Sequence, residues 1–328
     1  MHRRGFLGTL ATVGMGATAR LAAAAGGRAG VTPQPGAAAA PASAGAATRF
    51  EYACMTLAYA AFPFARALQG IEAAGYDRVA WGVTHRDAAG QERPALDVEA
   101  PPATAAALSR QCRDAGLTPV MMFSTVFLEE PEAAAAHRKR IAQAAAAGIP
   151  HLLTFGRTRP GEYERVIACL QAIGPAAREA GITVLIKQHG GNTGTGAMCS
   201  KIIREVGDEG VRMCYDAGNV LDYDSHDPIA DIATCVPDIR AFAIKDHRDW
   251  PKDEDCGPGF GEIDHYRLFQ PVMRTGLTMP LVFENIFEPL VPRPRDAAAI
   301  DALARRSREY VQSVIAGLQA PSPPPRRG

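Results

Sequence analysis

From about Arg49 to Leu318 the chain alternates between two hydrophobic periods. Short runs rich in Val, Ile and Leu lie at Phe50–Thr56, Arg78–Val83, Thr118–Phe123, His151–Phe155, Thr183–Lys187, Arg212–Tyr215, Ala241–Lys245 and Pro280–Phe283. Their length and β-favouring content predict strands buried on both faces. Between them run amphipathic or Ala-rich stretches that predict helices: Phe64–Ala74, Thr104–Ala115, Pro131–Ala147, Tyr163–Ala180, Ala197–Val206, Tyr266–Thr275 and Ala297–Ala316. Gly75, Gly116, Gly148, Gly181, Gly210 and Gly276 each stand between a helical stretch and the next strand. Gly in that place takes up the left-handed cap conformation at little cost.

Eight strand–helix units in strict alternation imply a parallel sheet with right-handed crossovers. That number, spread over one domain of this length, fits a closed (β/α)8 TIM barrel better than an open doubly wound sheet. No G-x-G-x-x-G follows the first strand, so a dinucleotide fold loses its main support.

The two ends read differently. Residues 1–25 carry Arg3-Arg4, then Gly5-Phe6-Leu7, a weakly apolar Gly/Ala stretch and small residues from Ala22 to Ala25. This is the pattern of a twin-arginine export signal and predicts a periplasmic or other extracytoplasmic protein. Residues 26–48 are Ala, Gly and Pro with almost no large apolar side chain, and 319–328 read alike; both are expected to be disordered flanks of a barrel at 49–318. No stretch reaches the ~18 apolar residues of a membrane span.

Composition adds exclusions. Lys+Arg and Asp+Glu are both 35, for a formal net charge of zero. Nucleic-acid binding is therefore not expected, because neutralising phosphates calls for a basic surplus. The seven cysteines form no C-x-x-C pair, which argues against a zinc ribbon or a disulfide framework and for small buried hydrophobes. Homo-oligomerisation is left open.

The candidate chemistry clusters at the ends of the last four strands. The fifth ends in Lys187-Gln188-His189-Gly190-Gly191, the sixth in Asp216-Ala217-Gly218-Asn219, the seventh in Lys245-Asp246-His247-Arg248-Asp249-Trp250, and the eighth in Glu284-Asn285. In such barrels catalytic groups come from the C-terminal strand ends and the loops after them. An unpaired carboxylate closing an apolar strand would be costly, which singles out Glu284; Asp216 by itself could be a plain strand-end cap, since Asp-Ala-Gly-Asn is also a turn sequence. The Gly-rich turn at 190–196 lacks the Lys-Ser/Thr of a phosphate loop and is weak support for an anion. Trp250 and Tyr59 have the rings to stack on a sugar, though core packing explains either equally well.

The order of these pieces resembles the xylose-isomerase-like TIM barrels, the sugar phosphate isomerase and epimerase family. The resemblance is carried by CYDAGN at 214–219, AIKD at 243–246, GPGFGEIDHYRLF at 257–269 and MPLVFEN at 279–285. It implies a small-molecule carbohydrate substrate and a divalent Mn²⁺ or Mg²⁺ held by Glu, Asp, His and Glu from strands five to eight. Oxygen-rich ligands with one imidazole suit those ions. The ion would polarise a sugar carbonyl while two carboxylates move a proton at the neighbouring carbon.

Carried over residue by residue, the resemblance puts the strand-six Asp on Asp216 and the strand-eight Glu on Glu284. Lys187 stands in the strand-five Glu position and Ala243 in the strand-seven His position. Two unit charges at ~4 Å and an effective dielectric of about 20 are worth about 4 kcal/mol, and a dication roughly doubles the repulsion on an ammonium. Two arrangements remain open. In one, Lys187 replaces the metal between Asp216 and Glu284. In the other, the ion shifts onto Asp216, Glu284 and an imidazole of His189 or His247. The expected enzyme abstracts a proton alpha to a carbonyl of a sugar or oxidised sugar, giving isomerisation, epimerisation or β-elimination. Glu284 is its base, Asp216 its acid partner, Lys187 or a metal stabilises the enediolate, and His189, His247 and Lys245 complete the site. The competing expectation is a non-catalytic carbohydrate-binding barrel whose metal site has decayed. A DNA-repair endonuclease of the same fold would need a His-rich site and a basic face, and the sequence has neither.

Overall fold

The computed structural model describes residues 45–87 and 89–320, so the expected export leader, most of the linker and residues 321–328 lie outside it. Eight parallel strands close on themselves: β1 Arg49–Met55, β2 Arg78–Trp81, β3 Thr118–Phe123, β4 His151–Phe155, β5 Thr183–Lys187, β6 Val211–Tyr215, β7 Ile239–Ile244 and β8 Thr278–Phe283. Each pairs with its neighbours in sequence, and β1 pairs with β8 to complete the ring. This is the TIM barrel that the alternating pattern predicts.

The helices are α1 Phe64–Ala73, α2 Pro102–Asp114, α3 Ala133–Ala147, α4 Tyr163–Glu179, α5 Gly196–Val206, α6 Ala217–Asp224, α7 Pro228–Ile232, α8 His265–Phe269 and α9 Ala297–Gln319. Two apolar clusters result. One unites strand residues with α-helical faces, for example Ile71, Leu170, Val184, Ile202, Phe242 and Val311. The other draws its buried residues from strands alone, including Met55, Met121, Leu153, Leu185, Cys214, Ala243 and Val282, and fills the barrel lumen. All seven cysteines are buried and unpaired.

Several local expectations need correction. The helix expected over Tyr266–Thr275 stops at Phe269 and passes into a short 3-10 turn at Gln270–Val272. Pro271 removes the backbone N–H that an α-helix would need there. Gly210 is not the cap of α5; Gly207 is, in the left-handed conformation. Backbone pairing with the barrel also begins before Arg49. Thr48 is buried, its N–H donates to the Met273 carbonyl at 2.9 Å, and Gly276 N–H donates to Ala46 at 3.0 Å. Two small antiparallel hairpins, Thr84–Arg86 with Glu92–Pro94 and Asp246–Arg248 with Glu254–Cys256, follow β2 and β7. The second positions part of the site.

Candidate active site

The ends of the last four strands, β5 to β8, each deliver one charged group to the same place. Lys187 closes β5, and the register sets it beside Phe155 of β4 and Cys214 of β6. Asp216 follows β6 and caps α6, its Oδ1 accepting from Asn219 N–H at 3.0 Å. Lys245 follows β7. Glu284 follows β8 and extends its pairing, with its N–H donating to the Ile244 carbonyl at 2.9 Å.

The Lys187 ammonium lies between the two carboxylates. Nζ donates to Glu284 Oε2 at 2.6 Å and Oε1 at 2.9 Å, and stands 3.0 Å from Asp216 Oδ2. Lys187 is 2% exposed and Asp216 is fully buried. Burial alone would push the Lys187 pKa down, but Glu284 and Asp216 outweigh it and hold the group charged. For Glu284, too, burial is opposed by Lys187 and Lys245, and its carboxyl ends below the usual range. Asp216 goes the other way: burial raises it by more than Lys245 and Lys187 bring it down. Two neighbouring carboxyls whose environments separate their pKa values have the makings of a base and an acid.

A second cation backs the first. Lys245 Nζ donates to Asn219 Oδ1 and to Asp255 Oδ2 (2.8 Å), and lies 3.9 Å from Asp216 Oδ2. Asp255 comes from the hairpin after β7, where its other oxygen meets His247 Nδ1 at 3.1 Å. Burial would raise its carboxyl, but Lys245 and His247 hold it far below the usual range. His247 Nε2 points away from the centre, toward Asp249 at 3.3 Å and Asp253 at 3.5 Å. His247 therefore meets the Lys245 side of the site through Asp255. Together with Asp222 and Asp253 it forms a group with metal-ligand atoms within 4.8 Å of one another, outside the Lys187 centre.

His189 sits on the opposite side. Its Nδ1–H donates to the Gly156 carbonyl at 2.9 Å, and its ring packs 4.3 Å from Phe155 and 5.3 Å from Tyr223. Burial, helped by Lys187, lowers its pKa to about 4. Neither histidine has a hydrogen bond or ion pair to Asp216 or Glu284.

Sequence reasoning missed three polar groups. The Gln188 side-chain carbonyl accepts from Asp216 N–H at 2.8 Å, and the Gln188 backbone carbonyl accepts from Asn219 Nδ2 at 2.6 Å. Gln188 and Asn219 lie in the same strand-end motifs as Lys187 and Asp216. Asp255 had no such signal, because pairing across a hairpin brings it in. Asp246, beside Lys245, turns outward and accepts from the N–H groups of His247, Gly259 and Ile263. The start of α5, the other candidate anion position, is taken by the chain's own Asp231, which accepts from Gly196 N–H at 2.8 Å. Tyr59 is core, whereas Trp250 is exposed.

Residues 68–309 match the family model described as Xylose isomerase-like TIM barrel. The chain belongs to that family. Among solved structures it is similar to an L-ribulose 3-epimerase, at 15% identity and TM-score 0.64, over 83% of this chain and 99% of that one. It is also similar to a xylose isomerase-like TIM barrel protein from Mycobacterium smegmatis in complex with magnesium, at 15% identity and TM-score 0.65, over 82% and 98%. A third similar structure, a xylose isomerase-like TIM barrel/4-hydroxyphenylpyruvate dioxygenase fusion protein, is 16% identical with TM-score 0.62; this chain spans 46% of its length. No curated protein matches the chain.

The family's divalent ion does not fit between Asp216 and Glu284 here. The Lys187 ammonium stands there, held charged by both carboxylates, and Ala243 offers no donor atom in the lumen. A dication would have to displace a cation that its own ligands stabilise.

Proposed function

We propose that the protein is an enzyme of the sugar isomerase and epimerase type, in which Lys187 does electrostatically what a metal does in the ordinary family site. The observation that carries this reading is the Lys187 ammonium bonded to both oxygens of Glu284 and in contact with Asp216. The substrate is a sugar or oxidised sugar with a carbonyl. Glu284, ionised at neutral pH, removes the proton on the carbon beside that carbonyl. The C–H electron pair moves into a C=C bond, and the carbonyl oxygen becomes an enediolate oxygen held by Lys187. A proton returned to the other carbon gives isomerisation, one returned to the opposite face gives epimerisation, and loss of a β-substituent gives elimination. Asp216, the carboxyl that keeps its proton more readily, supplies the acid.

The ion pair also sets the timing. With no substrate, two bonds from Lys187 weaken Glu284 as a base. A substrate oxygen that draws Lys187 toward itself strengthens Glu284 at the step that needs it. Lys245, anchored by Asp255 and Asn219, keeps a second positive charge beside Asp216. We include in the proposal that the Arg3-Arg4 leader exports the enzyme; finding the wild-type chain only in the cytoplasmic fraction of its cells counts against that part.

The test is exchange of substrate hydrogen with solvent. In D2O, the wild type is expected to place deuterium on the carbon next to a sugar carbonyl, with or without chelator. Glu284→Gln keeps the shape and loses the base, so exchange should fall about 10³-fold or more while sugar binding survives. Full exchange in Glu284→Gln would remove the proposed base and the mechanism with it.

A further inference from the structure

We infer that the wall formed by the ends of β3, β4 and β5 is a subsite for an uncharged, unphosphorylated sugar ring, with His189 as its specificity-determining residue. The inference rests on the reading above and adds to it the class of substrate.

The first support is an unmatched acceptor. Because Nδ1–H of His189 donates to Gly156, the ring's lone pair is on Nε2. His189 is 7% exposed, and Nε2 has no hydrogen-bond partner among the described residues. Aromatic rings crowd the imidazole: Phe155 at 4.3 Å, Tyr223 at 5.3 Å and Phe127, nearly parallel, at 6.0 Å. Such surroundings disfavour the charged imidazolium, so the group accepts one hydrogen bond and cannot pair with an anion. A ligand hydroxyl is the matching chemistry.

The second support is the neighbouring ammonium. Lys187 Nζ lies 6.0 Å from the centroids of both the Phe123 and Phe155 rings. The aromatic wall therefore borders the reacting centre. Phe123, Phe127 and Tyr223 are only half-buried. A sugar ring carries apolar C–H groups on its face and hydroxyls at its edge. The C–H face lies on the aromatic rings, one hydroxyl donates to Nε2, and the carbonyl oxygen reaches Lys187. The third support is charge. Both ammonium groups at the barrel mouth are already held by carboxylates, Lys187 by Glu284 and Asp216, and Lys245 by Asp255. Two cations thus face three carboxyls, so the centre has no surplus positive charge to offer a phosphate dianion.

The experiment measures binding and turnover separately on the purified full chain. The probes are D-fructose, D-glucose and methyl β-D-glucoside, the 6-phosphates of the first two, and single-deoxy analogues of whichever free sugar binds tightest. Binding is followed by saturation-transfer NMR and calorimetry. At least one free sugar should bind, and its phosphate about tenfold or more weaker. Loss of one particular hydroxyl should weaken binding about tenfold or more in the wild type, and under about threefold in His189→Phe, which keeps a ring without the acceptor. His189→Gln, which keeps an acceptor, should retain part of the discrimination. Equal or tighter binding of a 6-phosphate, or the same deoxy penalty in His189→Phe as in the wild type, overturns the inference and leaves the proposed reaction standing. If His189→Phe does not fold, the phosphate comparison and His189→Gln still decide. Binding with the expected His189 signature but no deuterium exchange on any sugar overturns the reaction alone. No binding by any free sugar overturns both.

Discussion

Lys187 stands where the family resemblance calls for a carboxylate, and the change inverts the electrostatics around it. With a carboxylate there, three acidic groups would converge and need a cation to hold them together. With a lysine, the chain supplies that cation itself, on a side chain it cannot lose to a chelator. The arrangement is costly to break. Removing one partner of a buried ion pair typically costs about 3–5 kcal/mol, because the other charge is left uncompensated. Lys187→Glu alone should therefore lower stability by about that amount in urea denaturation and abolish activity. Combining it with Ala243→His restores all four family donor types on strands five to eight. Mn²⁺ should then bind the double variant, detectable by calorimetry, and recover much of the lost stability. If the wild type takes up Mn²⁺ as tightly as the double variant, Lys187 does not hold the ion's place.

At the scale of elements, the turn after β5 shows how a loop fixes a site residue. Gly190 and Gly191 both have positive φ, at 70° and 55°, and a Cβ on Gly191 would meet the backbone carbonyls of Arg157 and Arg159. This close crossing of the β4 and β5 loops also brings the Gly156 carbonyl to His189. Gly191→Ala should cost about 2 kcal/mol or more and reduce activity, since neither backbone can give way easily. Gly161→Ala, with open space around its Cβ and ordinary φ, should change the denaturation midpoint little and serves as control. The sequence made some elements plain and not others, for physical reasons. Barrel strands are short apolar runs, and the first ionisable residue at the end of each of the last four runs marks where the strand stops and the site begins. Lys187, Asp216, Lys245 and Glu284 were legible for that reason. The hairpin strands Asp246–Arg248 and Glu254–Cys256 hold three residues each and are mostly charged, so no alternation reveals them. Asp255 went unseen with them. Asp216-Ala217-Gly218-Asn219 reads as a turn but opens α6 with Asp216 as its cap; what no local pattern registers is Gln188, whose side chain holds the Asp216 N–H. His247 was legible as polar; its separation from the centre by Asp255 was not.

For the molecule as a whole, the buried histidines set how it responds to acid. Burial lowers His137, His151 and His189 each to about 4, and His137 has both ring nitrogens bonded, to the Ala133 carbonyl and Thr154 Oγ1. In the unfolded chain these rings protonate near pH ~6.5. Between about 6.5 and 4 the unfolded chain therefore binds protons that the folded chain refuses. Their contribution to stability is complete above about 6.5 and is lost as pH falls through that window, on the order of a few kcal/mol for each ring. Three groups oppose the trend, one of them Asp222, whose carboxyl burial raises as it raises that of Asp216. His247, whose pKa is raised in the folded chain despite burial because Asp255 and Asp222 face it, contributes below its unfolded value and loses that contribution as pH rises through its folded one. Asp216, raised by burial, takes up its proton earlier in the folded chain and is relieved as pH falls. Burial lowers His85 and His265 as well, and the five depressed histidines outweigh these three groups, so acid should win well before the carboxylates titrate in bulk. Unfolding free energy from urea titrations should be nearly level from pH 8 to 7 and drop steeply from 6.5 to 4.5. His137→Gln should be less stable at pH 8 but have a shallower acid slope, since one of the five proton-refusing rings is gone. Equal wild-type stability at pH 8 and pH 5, or an unchanged slope in His137→Gln, would mean that these rings titrate in the folded barrel much as they do in water.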